Sequence, residues 1–291
     1  MNRAQAYTGE GLACFPQQHT RVLHFRFPQI GENASLRTGI PVKLDELVRY
    51  LDDYLHIATT PDYPDAVNGL QVEGTRPIRR VAVAVDGAQA TVDQAIAGGA
   101  DLLLVHHGLF WDGNRPLTGR RYRRVKPLLD AGVAVYSAHL PLDAHPEVGN
   151  NAVLLRALGA EPQGTFGDYK GLPLGVWGEV DLRREALCAR LDEVLGTRVK
   201  MIPGGPEHVR RVGVVTGGAG GKVADAVAAG LDAFITGEGA HHNFFDAEEG
   251  GINLYLGGHY ATEVWGVRAL AEHLERKFGI DWFFIDHPTG L

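Results

Sequence analysis

The chain has 291 residues, 45% hydrophobic and 22% charged, which is enough apolar mass for one large or two modest globular domains. Twenty-eight basic against 35 acidic side chains give a net charge of −7, which disfavours direct binding to nucleic acid or to an anionic membrane. No uncharged apolar run approaches a membrane span, no basic-then-apolar leader is visible, and Cys14 and Cys188 cannot make a disulfide framework, so the expected compartment is the cytoplasm.

Residues 1–40 show no helical or strand period and read as a poorly ordered N-terminal extension. From Asp45, read as an N-cap, Leu47, Val48, Leu51, Tyr54 and Leu55 recur at helical spacing. Val81–Val85 predicts a buried strand, 90–97 a helix, Leu102–Val105 a second strand, Val133–Tyr136 a third and 151–158 another helix. Short apolar strands alternating with helices across glycine turns predict an α/β fold. The chain then repeats itself: residues 79–101 align without gaps on 210–232, an offset of 131, with eleven identities in 23 positions from Arg79/Arg210 to Asp101/Asp232. A looser echo sets Gly132–Tyr136 against Gly251–Tyr255. The expected organisation is two related α/β halves, 41–163 and 164–291, the second free to intertwine with the first.

Polar residues cluster just after the strands, where an open α/β sheet leaves a crevice for ligands. The first half offers His106-His107-Gly108, then His139, Asp143 and His145; the second offers Glu238, His241 and His242, then His259 and Glu263. Imidazoles and carboxylates gathered without lysine or arginine make a cation site, because the acids would otherwise repel one another. Adjacent strand residues point to opposite faces, so His106 and His107 are expected to share a ligand where the strand has ended, with Gly108 permitting the break. Gly257-Gly258 place the next helix start near Thr262, with Glu263 in its first turn, where the helix dipole favours a carboxylate. Asp143 is read as lying in a rigid loop after Pro141, and Asn150-Asn151 as caps of the following helix. Glu238 falls at the repeat position of His107, and with His139 it is a candidate proton shuttle. His145, His241 and His242 are candidates for surrounding contacts, whereas His19, His24, His56, His208, His273 and His287 lack such company. Gly217–Lys222 reads as a tight strand-to-helix turn rather than a phosphate loop, and Gly87-Ala88-Gln89 breaks the dinucleotide pattern.

Together, Val105-His106-His107-Gly108, His139–His145, Thr236-Gly237-Glu238 and Gly258–Glu263 give the chain a resemblance to the dinuclear-metal-centre hexameric family, the NGG-interacting-factor-three-like proteins. The likeness spans about residues 43–289, includes Asn68–Val72 and Phe284–Asp286, and is nearest the compact bacterial branch, whose members carry the name GTP cyclohydrolase 1 type 2 homologue. The resemblance implies two divalent metal ions per chain, His106 and Asp143 serving one, His107 and His259 the other, and Glu263 bridging both. It also implies a homohexamer, a trimer of dimers. Five N/O ligands without a thiolate suit Zn, Mn, Fe or Ni alike. A metal-bound hydroxide acting on a small-molecule substrate, possible nucleotides included, makes a hydrolase of the GTP cyclohydrolase type the first expectation. A non-catalytic metal-binding scaffold or metal carrier is the second.

Overall fold

The structure is a computed structural model and describes residues 41–291; the extension expected over 1–40 lies outside the described residues. The first helix, α1 (Leu44–Tyr54), begins just ahead of Asp45. Lys43 is its extended N-cap and gives no side-chain cap, while Asp45 and Glu46 sit in the first turn, where the dipole favours them. Asp45 is therefore a first-turn acid and not the cap. Leu47 and Leu51 are wholly buried, each contributing about 1.5–3 kcal/mol by leaving water, so the helical spacing of apolar residues fixes which face packs.

The chain continues through β1 (Gly69–Val72), β2 (Arg80–Asp86), α2 (Gln89–Ala97), β3 (Leu102–His107), α3 (Gly119–Ala131), β4 (Ala134–Ser137), α4 (Leu140–Asp143) and α5 (Asn150–Ala157). A second series follows: β5 (Gly164–Tyr169), β6 (Leu172–Arg183), α6 (Arg184–Leu195), β7 (Lys200–Pro203), β8 (His208–Val214), α7 (Val223–Ala228), β9 (Ala233–Thr236), α8 (Asn243–Gly250), β10 (Asn253–Leu256), α9 (His259–Phe278) and β11 (Asp281–Phe284). Two sheets result, ordered β1-β4-β3-β2-β11 and β5-β6-β8-β9-β10-β7. The last strand thus returns to the first sheet, pairing parallel with β2.

The strands read as continuous apolar runs because both faces of the first sheet are covered. Val81, Val83 and Val85 of β2 pack towards α1 and α9, and Ala82 and Ala84 pack with Val92 of α2 and Leu128 of α3. The repeat seen in the sequence is a repeat of structure. Val81 pairs with Leu102 and Val212 with Ala233, so β2–β3 and β8–β9 share one parallel register at the offset of 131. Asp101 Oδ2 accepts the backbone N–H groups of Arg79 and Arg80, at 2.9 and 3.1 Å. Asp232 Oδ2 accepts those of Arg210 and Arg211, both at 2.9 Å. The same carboxylate staple starts β2 in one sheet and β8 in the other, and the fold is α/β with two related halves. Among the described residues no helix is long and apolar enough to cross a membrane.

Candidate metal centre

Four elements from both halves converge at the strand ends. Strand β3 runs through both His106 and His107, with Asp86 of β2 opposite His107, so no break is needed between the two imidazoles. His106 is completely buried and His107 half-buried, with ring centroids 4.7 Å apart. Asp143 ends the short helix α4 rather than lying in a loop, and is buried. Helix α9 begins at His259, earlier than the glycine pair suggests, because Gly258 serves as N-cap at φ 92°. His259 and Glu263 are consequently four apart on one helix, facing the same way, and Glu263 belongs to the second turn.

Glu263, 2% exposed, is the point of convergence. Its Oε1 lies 3.5 Å from His106 Nε2, and its Oε2 lies 3.4 Å from His107 Nε2 and 3.1 Å from His259 Nε2. Asp143 Oδ2 faces His106 Nε2 at 3.6 Å, while Asp143 Oδ1 accepts hydrogen bonds from Asn150 and Thr216. Asn150 and Asn151 are therefore not caps of α5. Both are wholly buried: Asn150 joins Asp143 to the backbone of Gly266, and Asn151 joins Leu174 to Thr216.

Each imidazole around this point is held from behind at 2.9 Å. His106 Nδ1 meets the Ala138 carbonyl, His107 Nδ1 meets Asp86 Oδ1, His139 Nδ1 meets Asp62 Oδ1, and His259 Nδ1 meets Glu238 Oε1. With Nδ1–H donated outward in every case, the Nε2 lone pairs face the centre, the arrangement by which outer acceptors orient metal-binding histidines. Asp62 and Asp86 brace imidazoles of the candidate centre and were not singled out by the sequence reading. The signal for Asp86 was its position at the end of β2, opposite His107 in a parallel pair. Asp62 lies in a turn 77 residues from His139 and gave no local signal. Asn68 fixes that turn by donating to Asp62 and accepting the His139 N–H.

Burial alone would weaken the imidazolium of His106, but the Asp143 and Glu263 carboxylates outweigh it and its pKa is pushed up to about 10. The hydrogen bond to Glu263 pushes His259 up to about 9 against the opposing effect of burial. Burial would raise Glu263, yet the surrounding imidazoles, His106 foremost, hold its carboxyl well below the usual carboxylate range. Positive charge is what this pocket wants, whether protons or a cation. His106 Nε2 and Glu263 Oε2 are enclosed and neither meets a well-aligned hydrogen bond among the described residues, so both point into a centre that a cation would satisfy. The donor atoms of His107, His259 and Glu263 form one group close enough to hold an ion, and those of His106, His107 and His139 form another. The residues present thus fit a metal.

Gly217 makes the close approach possible. Its φ is +68°, and a Cβ there would come within 2.1 Å of Glu263 Oε1. The glycine run is a tight turn, its Gly217 carbonyl accepting the N–H groups of Gly237 and Glu238. Glu238 stands at the end of β9 as the repeat position of His107 suggested, and it is half-exposed. Three candidates are not brought to the centre. His145 packs on the Tyr54 ring at 4.4 Å and bonds to the Tyr54 carbonyl, and His241 and His242 are exposed at the start of α8. A cavity of about 710 Å³ opens over the centre, walled by Tyr63, Trp111, Tyr169, Leu174 and Lys222.

Residues 42–290 match the family model for Duf34/NIF3 (NGG1p interacting factor 3). The chain is 47% identical over 249 residues to a GTP cyclohydrolase 1 type 2 homolog of Deinococcus radiodurans, covering 85% of this chain and 94% of the relative. It is 44% identical over 250 residues to the protein of that name in Archaeoglobus fulgidus, covering 86% and 100%. Among solved structures, TTHA1606 of Thermus thermophilus superposes with a TM-score of 0.78 at 42% identity, over 86% of this chain and 100% of that one. The ybgI protein, described as of unknown function, superposes at 0.80 and 39% identity, with the same coverage.

Proposed function

The chain belongs to the Duf34/NIF3 family, and on that premise we propose that it is a cytoplasmic metal-dependent hydrolase using two divalent ions per chain. The observation that carries this reading is Glu263, whose two oxygens face different imidazoles, Oε1 towards His106 and Oε2 towards His107 and His259. A carboxylate so placed serves two neighbouring positions, with Asp143 completing the first. Divalent ions bound there supply Lewis acidity, which lowers the pKa of water towards about 7 and stabilises a developing oxyanion.

The protein's own groups do the rest. Asp86, Glu238 and the Ala138 carbonyl fix the tautomers of His107, His259 and His106, so that ligand geometry is set in advance. His139 presents Nε2 beside His106 and His107 while Asp62 holds Nδ1, the disposition of a general base oriented by a carboxylate. Burial would raise Asp62, but the His139 contact and the N–H donors around it keep its carboxyl low and charged. We place the proton transfer on His139 rather than Glu238, because Glu238 is engaged in holding His259. The rings of Tyr63, Trp111 and Tyr169 line the cavity and suit a planar substrate, in keeping with the cyclohydrolase name its relatives carry.

Turnover of GTP, other nucleotides and generic phosphoesters by metal-loaded protein tests the proposal, with Glu263→Ala as the control. Metal-dependent turnover lost in Glu263→Ala supports it. Metal bound without turnover of any of these substrates overturns the hydrolase and leaves the metal carrier. Sedimentation of the full chain near six times 31.5 kDa is expected for the proposed trimer of dimers, and a stable monomer overturns that assembly.

A further inference from the structure

A second cavity, of about 310 Å³, lies against the same histidine from another side. It shares Asp86, His107 and Trp111 with the larger cavity, so these three residues are common wall to both. Its remaining lining brings Arg120 and Arg124 of α3 opposite His287 and Thr289, which follow β11.

The charges there do not cancel. In a chain of net charge −7, α3 places Arg120, Arg121, Arg123, Arg124 and Lys126 within seven residues and no acid among them. Arg121 is committed to Asp112 at 2.6 Å and to the Gly113 and Arg115 carbonyls, and Lys126 pairs with Asp130. Arg124 has only neutral partners, the Gly87 and Leu109 carbonyls at 3.1 and 3.2 Å, and its enclosed Nε has none. Arg120 reaches Asp112 at 3.9 Å, an acid already held by Arg121, and its side chain is 72% exposed. The other lining acid, Asp86, is engaged by His107. Arg120, Arg121 and Arg124 thus share one carboxylate, Asp112, and with Asp86 as the other lining acid the cavity wall keeps a surplus of positive charge. Burial and the neighbouring Arg120 act against the charged form of Arg124, Asp112 offsets them only in part, and a bound anion would reduce the remaining cost.

We propose that the Arg120–Arg124 cavity is a subsite for a phosphate group carried by the molecule whose reacting end lies at the Glu263 centre. A phosphate carries about −1.5 to −2 charges near neutrality and three strong acceptor oxygens, which planar guanidinium forks match two at a time. Arg124, fixed by its two carbonyls, is the preorganised partner; Arg120 is the exposed one. The proposal takes the metal centre as the substrate site, and therefore rests on the function proposed above.

Calorimetric titration of inorganic phosphate into the full chain, metal-loaded and metal-stripped, tests it. Binding is expected in both states, weakened about tenfold or more by Arg120→Glu. Arg123→Glu, exposed on the same helix but outside the cavity lining, is expected to leave it unchanged. GMP is expected to bind more tightly than guanosine, and Arg120→Glu to narrow that gap; the metal content of the variant should stay that of the parent. Binding only to loaded protein and indifferent to Arg120→Glu would put the phosphate on the metals and overturn the subsite. Equal weakening by Arg123→Glu would reduce it to general charge attraction and also overturn it. Because the stripped-protein measurement needs neither ions nor turnover, loss of the hydrolase reading and loss of the subsite are separately visible.

Discussion

The two halves share a backbone plan and differ at three equivalent strand-end positions. Asp86 of the first half corresponds to Gly217 of the second, His106 to Gly237 and His107 to Glu238, all at the offset of 131. At the first two the first half supplies a side chain where the second supplies clearance, and at the third Glu238 braces His259. A Cβ on Gly217 would collide with Glu263 Oε1, and one on Gly237 would sit 2.7 Å from the His259 Cα. The space so opened admits the start of α9, which carries His259 and Glu263 in among the imidazoles of the other half. A duplicated scaffold thus makes one asymmetric candidate centre by setting glycine in one half against His106 and Asp86 in the other, and neither half holds the full set.

The largest effect should come from the residue on which both halves converge. Glu263→Gln keeps the side-chain volume but removes the charge, and elemental analysis should show metal falling from about two ions per chain to nearly none, whereas His259→Ala should empty one position preferentially. Equal occupancy in the two variants would break the comparison. Next is Gly217→Ala, in which strain at positive φ costs about 1–3 kcal/mol and the added methyl displaces Glu263. Both the urea midpoint and metal content should fall, while retained metal would show that the clearance is not needed. The staples give a smaller and graded test. Asp101→Ala should cost about 2–3 kcal/mol and Asp232→Ala about 1 kcal/mol, because Asp101 is more buried and also pairs with Arg76 at 3.5 Å. Equal losses in chemical denaturation would mean that the halves are energetically alike.

The smallest effect concerns imidazoles outside the centre. His145 and His273 lie among Tyr50 and Tyr54, and burial lowers the pKa of both. The unfolded chain therefore takes up protons first, near its ordinary value of about 6.5, so their contribution is present above that pH and is lost as the pH falls below it. The melting temperature of the metal-loaded protein should decline modestly from pH 7 to pH 5, and less so in His273→Gln.

Much of this was legible in the residues alone. The repeat fixed the register of β2–β3 against β8–β9, and the donor residues at the strand ends stood out because they lacked cationic company. Errors arose where local signals compete with tertiary packing. Gly257-Gly258 look like a break after which a helix needs time to start, yet Gly258 itself caps α9. Asn150 and Asn151 have the chemistry of caps, but their amides are spent inside, on Asp143 and Thr216. Asp62 was invisible because its importance depends wholly on a distant partner, His139. His145 shared the motif of Asp143 but not its direction, and no pattern of spacing records which way a side chain leaves a turn.

The return of β11 to β2 has a consequence for synthesis. A ribosome completes β2 at Asp86 and must then make the whole second sheet before Asp281–Phe284 emerge to cover that strand's open side. At roughly 5–20 residues per second the interval is about 10–40 s, during which an apolar strand is left with unpaired amides and carbonyls. Helices α1 and α2 pack on the faces of the sheet, so the edge groups of β2 depend on water until β11 arrives.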